Sequence, residues 1–409
     1  MPGILVKHKL IAVETHPIQY KAPLFRLLAQ MPDLDFKVLY AMIPDAAQQG
    51  TGFGVSFAWD VPLLEGYPYE LLDNVARCPV VNRFTGSDTP GIHDVLKRER
   101  PDAVLVNGWV VKSCLQTLWA CRRLGIPCMV RGEANLLRPR AWWKHALHRM
   151  LLSQYSAYLA IGKANCDFYR SHHCLEDRIY PAPYCVDNDW FAAEAAKRSG
   201  RRPELRVRFG IPKDAVVFLF CGKLEQKKHP LDILHALREV VLRPSCFVNK
   251  ASQEPRTKNQ EHSNAFLLVV GDGPLRGECE AFATAHDLPV RFAGFLNQSR
   301  LPDAYAAADV LVLASDAGET WGLVVNEAMA SGRPAIVSRA AGSCEDLIIE
   351  GVTGFAFDVG DSEALSLVMQ RYVENPKLAV EQGDKAVKHI EKFSMQVAAE
   401  GIVNAVQKC

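Results

Sequence analysis

The chain has 409 residues, with 47 basic and 46 acidic side chains, 49% hydrophobic and 23% charged content. That composition belongs to globular proteins and excludes disorder and fibres. The length suits two domains with a core each, and a net charge of +1 lacks the basic excess of a dedicated nucleic-acid binder. The 12 cysteines contain no CxxC pair; the tightest series, Cys114, Cys121 and Cys128, recurs once per seven residues, so buried thiols in a reducing cytosol are expected rather than zinc or redox sites. Ile4-Leu5-Val6 runs into Lys7-His8-Lys9, and no apolar run approaches the ~18 residues of a membrane span. The expected location is the cytoplasm, including the inner face of its membrane.

Short apolar runs alternate with helix-period segments, the pattern of parallel strands joined by crossover helices. In the first half strands are expected over 9–14, 36–41, 103–107, 127–131 and 157–161, with helices between them, for example over 23–30 and 112–124. In the second half the expected strands are 216–221, 266–270, 290–293, 310–314 and 335–338. The predicted fold class is therefore α/β, with two Rossmann-like, doubly wound parallel-sheet domains. They are placed at 1–190 and 191–393, with a C-terminal helix over 394–409 packing back on the first. Tyr180-Pro-Ala-Pro-Tyr-Cys-Val-Asp187 and the charged stretch over 197–203 read as the linker. The polar stretch over 243–264 interrupts a helix-to-strand connection and reads as a surface insertion without catalytic duty. No repeat of solenoid period is present.

The densest information lies over 308–338. A strand ends at Ala314, the loop Ser315-Asp-Ala-Gly-Glu319-Thr-Trp-Gly322 follows, and a helix over 323–330 is closed by Gly332 and Pro334. Ligands of open parallel sheets bind outside such strand ends. Gly322 opens the helix, where free N–H groups and the positive dipole end suit a phosphate and the missing side chain permits close approach. Glu319 precedes the helix and Glu327 follows eight residues later, in its second turn, so both can face one ligand over the N-terminus. Charged acceptors make strong hydrogen bonds to sugar or ribose hydroxyls. The spacing alone fits equally a capping acid followed by a solvated helix glutamate.

The stretch Glu319-Thr-Trp-Gly-Leu-Val-Val-Asn-Glu327-Ala-Met-Ala-Ser-Gly332-Arg-Pro resembles the E-x7-E signature of family 4 (GT4) retaining glycosyltransferases. The resemblance implies the GT-B fold, whose two Rossmann-like domains face across a cleft. It also implies transfer of a sugar from a UDP, GDP or ADP donor, with retention, to a glycan, lipid-linked or small-molecule acceptor, as in polysaccharide biosynthesis. Glu319 would hold donor-sugar hydroxyls, Glu327 the nucleotide ribose, and the backbone at Trp321, Gly322 and Leu323 the sugar and diphosphate. Phe220-Cys-Gly222-Lys223-Leu224-Glu-Gln-Lys-Lys228-His looks like the family's strand-end loop, in which an Arg and a Lys five residues apart bind the diphosphate. Lys223 occupies the Arg position, keeping the charge but losing the bidentate fork; read without the resemblance, Lys223 and Lys228 are a solvated basic loop. Val270-Gly271-Asp-Gly273-Pro274 looks like the family's GxGP loop, and Phe292-Ala-Gly294-Phe295-Leu296 like the segment that reads the base edge. Either would also serve as a plain turn.

The first half matches more loosely. His16-Pro-Ile-Gln-Tyr20 follows the first strand where many relatives carry a glycine-rich loop, which leaves His16 as a candidate for acceptor or diphosphate contact, or as a packing residue. Glu133, in Arg131-Gly-Glu133 after the fourth expected strand, stands near where relatives place a catalytic His or Asp; a capping salt bridge is its alternative. Asp187-Asn-Asp189 superficially looks like a metal-binding DxD but lies in the expected hinge loop, so no required metal or other cofactor is expected beyond the donor substrate. Between Ala134 and Cys166 there is no Asp or Glu, while Arg138, Arg140, Lys144, Arg149 and Lys163 surround Trp142-Trp143. This span reads either as a peripheral membrane contact or as a helix laying basic stems over the domain core. A Rossmann dehydrogenase is excluded because no first strand opens into GxGxxG. A GT-B sugar-nucleotide epimerase and a non-catalytic GT-B scaffold remain as alternatives, and the acceptor, linkage and oligomeric state stay open.

Overall fold

A parallel strand is covered on both faces and reads as a near-continuous apolar run. β1 (His8–Glu14) shows why: Leu10 and Ala12 enter one hydrophobic cluster and Ile11 and Val13 another. The same alternation runs through β4 (Ala103–Val106), β5 (Cys128–Val130) and β6 (Ala157–Ala160), whereas β2 (Leu34–Tyr40) places Leu34, Phe36 and Val38 in the first cluster and only Leu39 in the second. With β3 (Tyr69–Leu71) and β7 (Ile179–Pro181) they form a seven-stranded sheet of order β3-β2-β1-β4-β5-β6-β7, parallel at every pairing. The computed structural model describes residues 7–52, 54–81, 83–243 and 264–409. Of the sequence readings, Ile4-Leu5-Val6 and nearly all of the 243–264 insertion lie outside the described residues.

The described chain divides into two compact units. The first comprises Met1–Gln49, Phe57–Asp187 and Lys392–Cys409. One face of its sheet is covered by the helices Ala22–Gln30 and Met395–Lys408, whose Ala398, Ala399, Ile402 and Ala405 are buried against Leu10, Phe25, Phe36 and Leu105. The opposite face carries Ile92–Glu99 and Lys112–Leu124, and there Cys114, Cys121 and Cys128 are free, buried thiols.

In this unit one sequence expectation fails and one strand went unread. Ile179–Pro181 is a strand rather than linker, and Ala182, Tyr184, Cys185 and Val186 are buried after it. Pro181 hid it, because proline suggests a break; at the sheet edge, where no second neighbour needs its missing N–H, proline is tolerated. β3 is only three residues long and carries no apolar run to announce it.

The second unit comprises Asn188–Glu391 together with the earlier segment Gly50–Ser56. Its six-stranded parallel sheet has the order β10-β9-β8-β11-β12-β13 and is built from β8 (Val216–Cys221), β9 (Ala265–Val270), β10 (Val290–Gly294), β11 (Val310–Leu313), β12 (Ala335–Ser338) and β13 (Gly354–Phe357). Helices Pro230–Leu242 and Ser362–Glu374 bury one face, and Leu301–Ala307 and Val324–Ala330 pack on the other. β13 went unread because Gly354 opens it; at that position φ is +152° and a Cβ would meet the Ala335 carbonyl oxygen at 1.8 Å.

The charged stretch after Asp187 is likewise not a linker. Asn188–Arg198 and Arg202–Arg208 are helices, and Asn188-Asp189 heads the first, so the DxD-like triplet is not a hinge loop. Arg198 pairs with Asp303 (2.7 Å) and Arg206 with Asp309 (2.7 Å), while Asp309 also accepts the Val217 N–H (2.8 Å). Arg198 therefore ties the first of these helices to the helix Leu301–Ala307, and Arg206 ties the second to the starting ends of β8 and β11. Among the described residues no helix is long and apolar enough to cross a membrane.

Gly401 tests the docking of the last helix. A Cβ there would lie 1.7 Å from the Pro181 carbonyl oxygen. In an exposed helix Gly→Ala stabilises by roughly 0.5–1 kcal/mol, but here overpacking should reverse the sign and cost about 1–3 kcal/mol. Urea unfolding of Gly401→Ala should show that loss; a gain in stability would contradict the packing.

Candidate functional site

In open α/β sheets the crevice lies at the carboxyl ends of the strands where chain order reverses. In the second unit that point falls between β8 and β11, since β8 leads to β9 on one side while β11 lies on the other. The loops that flank it are those holding Lys223 and Lys228, and Glu319 and Gly322.

These loops are tied together. Lys228 Nζ makes an ion pair with the Glu319 carboxylate, the two side chains being 12% and 13% exposed. The Asp316 N–H donates to the Lys227 carbonyl (2.9 Å). His229, at φ +47°, holds Asp232 through Nδ1 (2.9 Å) and faces Asp316 with Nε2 (3.7 Å). From the next strand end, the Gly342 N–H reaches the Glu319 carbonyl (3.1 Å) and the Ser343 N–H the Trp321 carbonyl (3.2 Å). Trp321 is buried, its indole N–H bonded to Asn326 Oδ1 (2.9 Å). Gly322 has φ +101°, and a Cβ would meet Leu313 Cδ2 at 2.6 Å; glycine is required for the loop to turn over the end of β11. Leu323 then leads into Val324–Ala330, with the Val325 N–H donating to the Gly322 carbonyl and the Glu327 N–H to the Leu323 carbonyl (both 3.0 Å).

Glu327 lies on that short helix and is buried, accepting a hydrogen bond from the Tyr305 hydroxyl (2.6 Å). Burial pushes its carboxyl up to about 7, the Tyr305 bond acting in the opposite direction. The two glutamates of the signature thus sit in different surroundings, one beside an ammonium and one beside a phenol. Tyr305 and Asn326, which fix Glu327 and Trp321, were missed in the sequence.

The remaining candidates gather around the loop after β8. Lys223 is half-buried, its ammonium bonded to the Thr51 carbonyl (2.8 Å) of the Gly50–Ser56 segment, and burial, with Lys227 and Lys228 nearby, lowers its pKa. Gly271 and Gly273 are pressed against that loop: a Cβ on Gly271 would meet the Gly222 carbonyl oxygen at 1.8 Å, and one on Gly273 the Leu224 carbonyl oxygen at 2.6 Å. Their packing duty is to let two strand-end loops stack, with the Leu224 N–H donating to the Asp272 carbonyl (2.9 Å). Phe295 follows β10 at the strand end beside that stack, next to Gly294, whose carbonyl accepts the Gly271 N–H (2.8 Å).

The first unit repeats the arrangement with its own polar cluster. Its order reverses between β1 and β4. Glu14 ends β1, buried, bonded to Lys21 (2.9 and 3.1 Å) and to the Asn107 amide (2.5 Å); burial raises its pKa while Lys21 opposes the shift. His16 bonds to the Thr15 hydroxyl through Nδ1 (2.8 Å), and burial with Lys21 nearby lowers its pKa to about 4, so the ring is neutral near pH 7. Glu133 accepts the Tyr184 hydroxyl. Tyr184 in turn lies under the Arg131 guanidinium (4.9 Å to the ring centre), which donates to the Ala182 and Pro183 carbonyls (3.1 and 2.8 Å). Glu14, Lys21 and Asn107 went unread; a charged residue closing an apolar strand was the available signal.

Glu327 carries a pH test. A carboxyl raised from 4.5 to about 7 in the fold stabilises it fully below pH 4.5, and that contribution is lost as pH rises through about 7. Glu327→Gln, permanently neutral, should remove the dependence. Between pH 4.5 and 8 wild type should lose about 3 kcal/mol relative to Glu327→Gln in urea unfolding; parallel profiles would contradict a raised Glu327.

Comparison with known proteins places these loops in a family context. Residues 201–389 match the family described as glycosyl transferases group 1. Over 206 residues the chain is 31% identical to a D-inositol 3-phosphate glycosyltransferase of Streptomyces avermitilis, covering 48% of this chain and 41% of the relative. Over 143 residues it is 36% identical to a sulfoquinovosyl transferase of Arabidopsis thaliana, covering 34% and 27%. The aligned stretches thus span less than half the length of these relatives. Anabaena HepE, solved in complex with UDP, superposes with a TM-score of 0.71 at 17% identity over 99% of this chain and all of that one. The chain has the GT-B fold, and its residues 201–389 are similar to the glycosyl transferases group 1 family.

Proposed function

We propose that the chain is a retaining glycosyltransferase of family 4 that moves a sugar from a nucleotide-diphosphate donor to a glycan, lipid-linked or small-molecule acceptor. The observation that carries this reading is the Lys228–Glu319 pair at the reversal point of the second sheet, with Glu327 on the helix that follows. A diphosphate is the anion that suits Lys223 and Lys228, and sugar and ribose hydroxyls are the donors that suit the two carboxylates. HepE binds UDP; for this chain UDP, GDP and ADP sugars are the candidate donors.

In this reading Glu319 holds the sugar and Glu327 the ribose, while the backbone at Trp321, Gly322 and Leu323 approaches the sugar and diphosphate. Gly271 and Gly273 shape the floor of the donor site, and Phe295 borders the base. Lys223 and Lys228 neutralise the charge that develops on the leaving diphosphate, so no metal is required. Glu133, oriented by Tyr184, is the first unit's catalytic carboxylate, and neutral His16 contacts acceptor or diphosphate.

Two measurements check the assignment. Glu327→Ala should weaken binding of the free nucleotide by about 1.5–3 kcal/mol in calorimetry, whereas Glu319→Ala should chiefly slow transfer. Nucleotide binding as tight in Glu327→Ala as in wild type would refute the ribose role. EDTA should leave transfer intact while Lys228→Ala abolishes it; full dependence on Mg2+ with indifference to Lys228→Ala would overturn the electrostatic role.

A further inference from the structure

The acid-free span of the first unit contains the helix Trp142–Leu152, anchored along one side only. On that side Leu152 is buried, His145 Nδ1 and His172 Nε2 share a hydrogen bond (3.1 Å), and His148 packs edge-on against Phe168 (5.4 Å between ring centres). The other side is open. Trp142 is 81% exposed, Trp143 52%, Leu147 49% and Met150 62%, and Leu136 and Leu137 in the preceding loop are exposed as well. Trp143, Leu147 and Met150 stand at i, i+4 and i+7, one stripe of an α-helix. Neither tryptophan is therefore a core side chain.

Charge borders the stripe. Arg138, Lys144 and Arg149 are exposed, and no described carboxylate forms an ion pair with them, while the Lys144 ammonium lies over the Trp143 ring (5.4 Å). Arg140 is different: it donates to the Asn135 and Arg138 carbonyls and covers Phe168, and so braces the loop. Lys163 is exposed at the start of the next helix, Lys163–Ser171.

We propose that this face docks on an anionic lipid bilayer, with the indoles and aliphatic side chains entering the interface and Arg138, Lys144 and Arg149 meeting phosphate headgroups. The charge pattern selects this occupant: 33 residues, 134–166, carry five Lys or Arg and no Asp or Glu. Aromatic and aliphatic groups ringed by cations are the composition of helices that lie in the interfacial plane. A neutral or acidic protein partner would leave either the cations or the apolar stripe without a complement. The inference stands on surface geometry and does not depend on the glycosyl-transfer reading.

Sedimentation of the full chain with phosphatidylcholine vesicles, with and without phosphatidylglycerol, tests it. Binding is expected only with the anionic lipid and should fall as salt is raised. Lys144→Ala with Arg149→Ala should weaken it roughly fivefold per cation removed. Trp142→Ala with Trp143→Ala should weaken it at low and high salt alike, because buried apolar area is not screened, and should leave the melting temperature unchanged. Absence of co-sedimentation at low salt, or binding that survives both pairs of substitutions, would overturn the proposal. So would a large loss of thermal stability in the tryptophan pair, which would return those side chains to packing. Self-association abolished by the same substitutions, without vesicle binding, would assign the face to a second copy and equally overturn it.

Discussion

The ion pair between Lys228 and Glu319 joins two loops that leave the second sheet on either side of its reversal point. Two charges only 12–13% exposed give up much of their hydration, and such a pair is a weak source of net stability, although removing one member leaves the other stranded. Its value is positional. With Asp316 bonded to the Lys227 backbone and His229 between Asp232 and Asp316, it sets the distance between a cationic loop and a carboxylate loop before any ligand arrives. A donor that offers a diphosphate to Lys228 and hydroxyls to Glu319 replaces one charge-assisted contact with two.

Glu327, eight residues on, works under the opposite electrostatics. Among the described residues it has no ion-pair partner, and burial, opposed by the Tyr305 hydrogen bond, raises its pKa to about 7. Two carboxylates of one motif are thereby given different chemistry by surroundings alone. The glycines act on the scaffold around them: Gly271 and Gly273 allow the loop after β9 to stack on the loop after β8, and Gly322 turns the chain over the end of β11.

Features set by local spacing were readable in the sequence. Apolar runs located ten of the thirteen strands to within about two residues, and the Glu319–Glu327 spacing marked the strand, loop and helix that carry them. Features set by distant partners were not readable. Arg198 and Arg202 looked like a charged linker because Asp303 and Asp309, which hold them, lie about 100 residues away. Tyr305 gave no sign of reaching Glu327 across 22 residues, and nothing in Gly50–Ser56 announced that Thr51 would meet Lys223. The helix Trp142–Leu152 posed a third kind of difficulty: its composition fitted packing as well as docking, and only the exposure of Trp142 and Trp143 in the fold takes those side chains out of the core.

In the proposed function the loops after β8 and β11 form a site for a nucleotide-diphosphate sugar, with Lys228 as its main cationic contact. A thermal-shift titration of wild type and Lys228→Ala with UDP, GDP and ADP sugars measures this directly. A ligand at 100 times its Kd stabilises the folded state by about 2.7 kcal/mol. At least one of the three nucleotides should raise the wild-type melting temperature saturably, and Lys228→Ala should lose most of the shift. No response to any of them, or an equal response in both proteins, would contradict it.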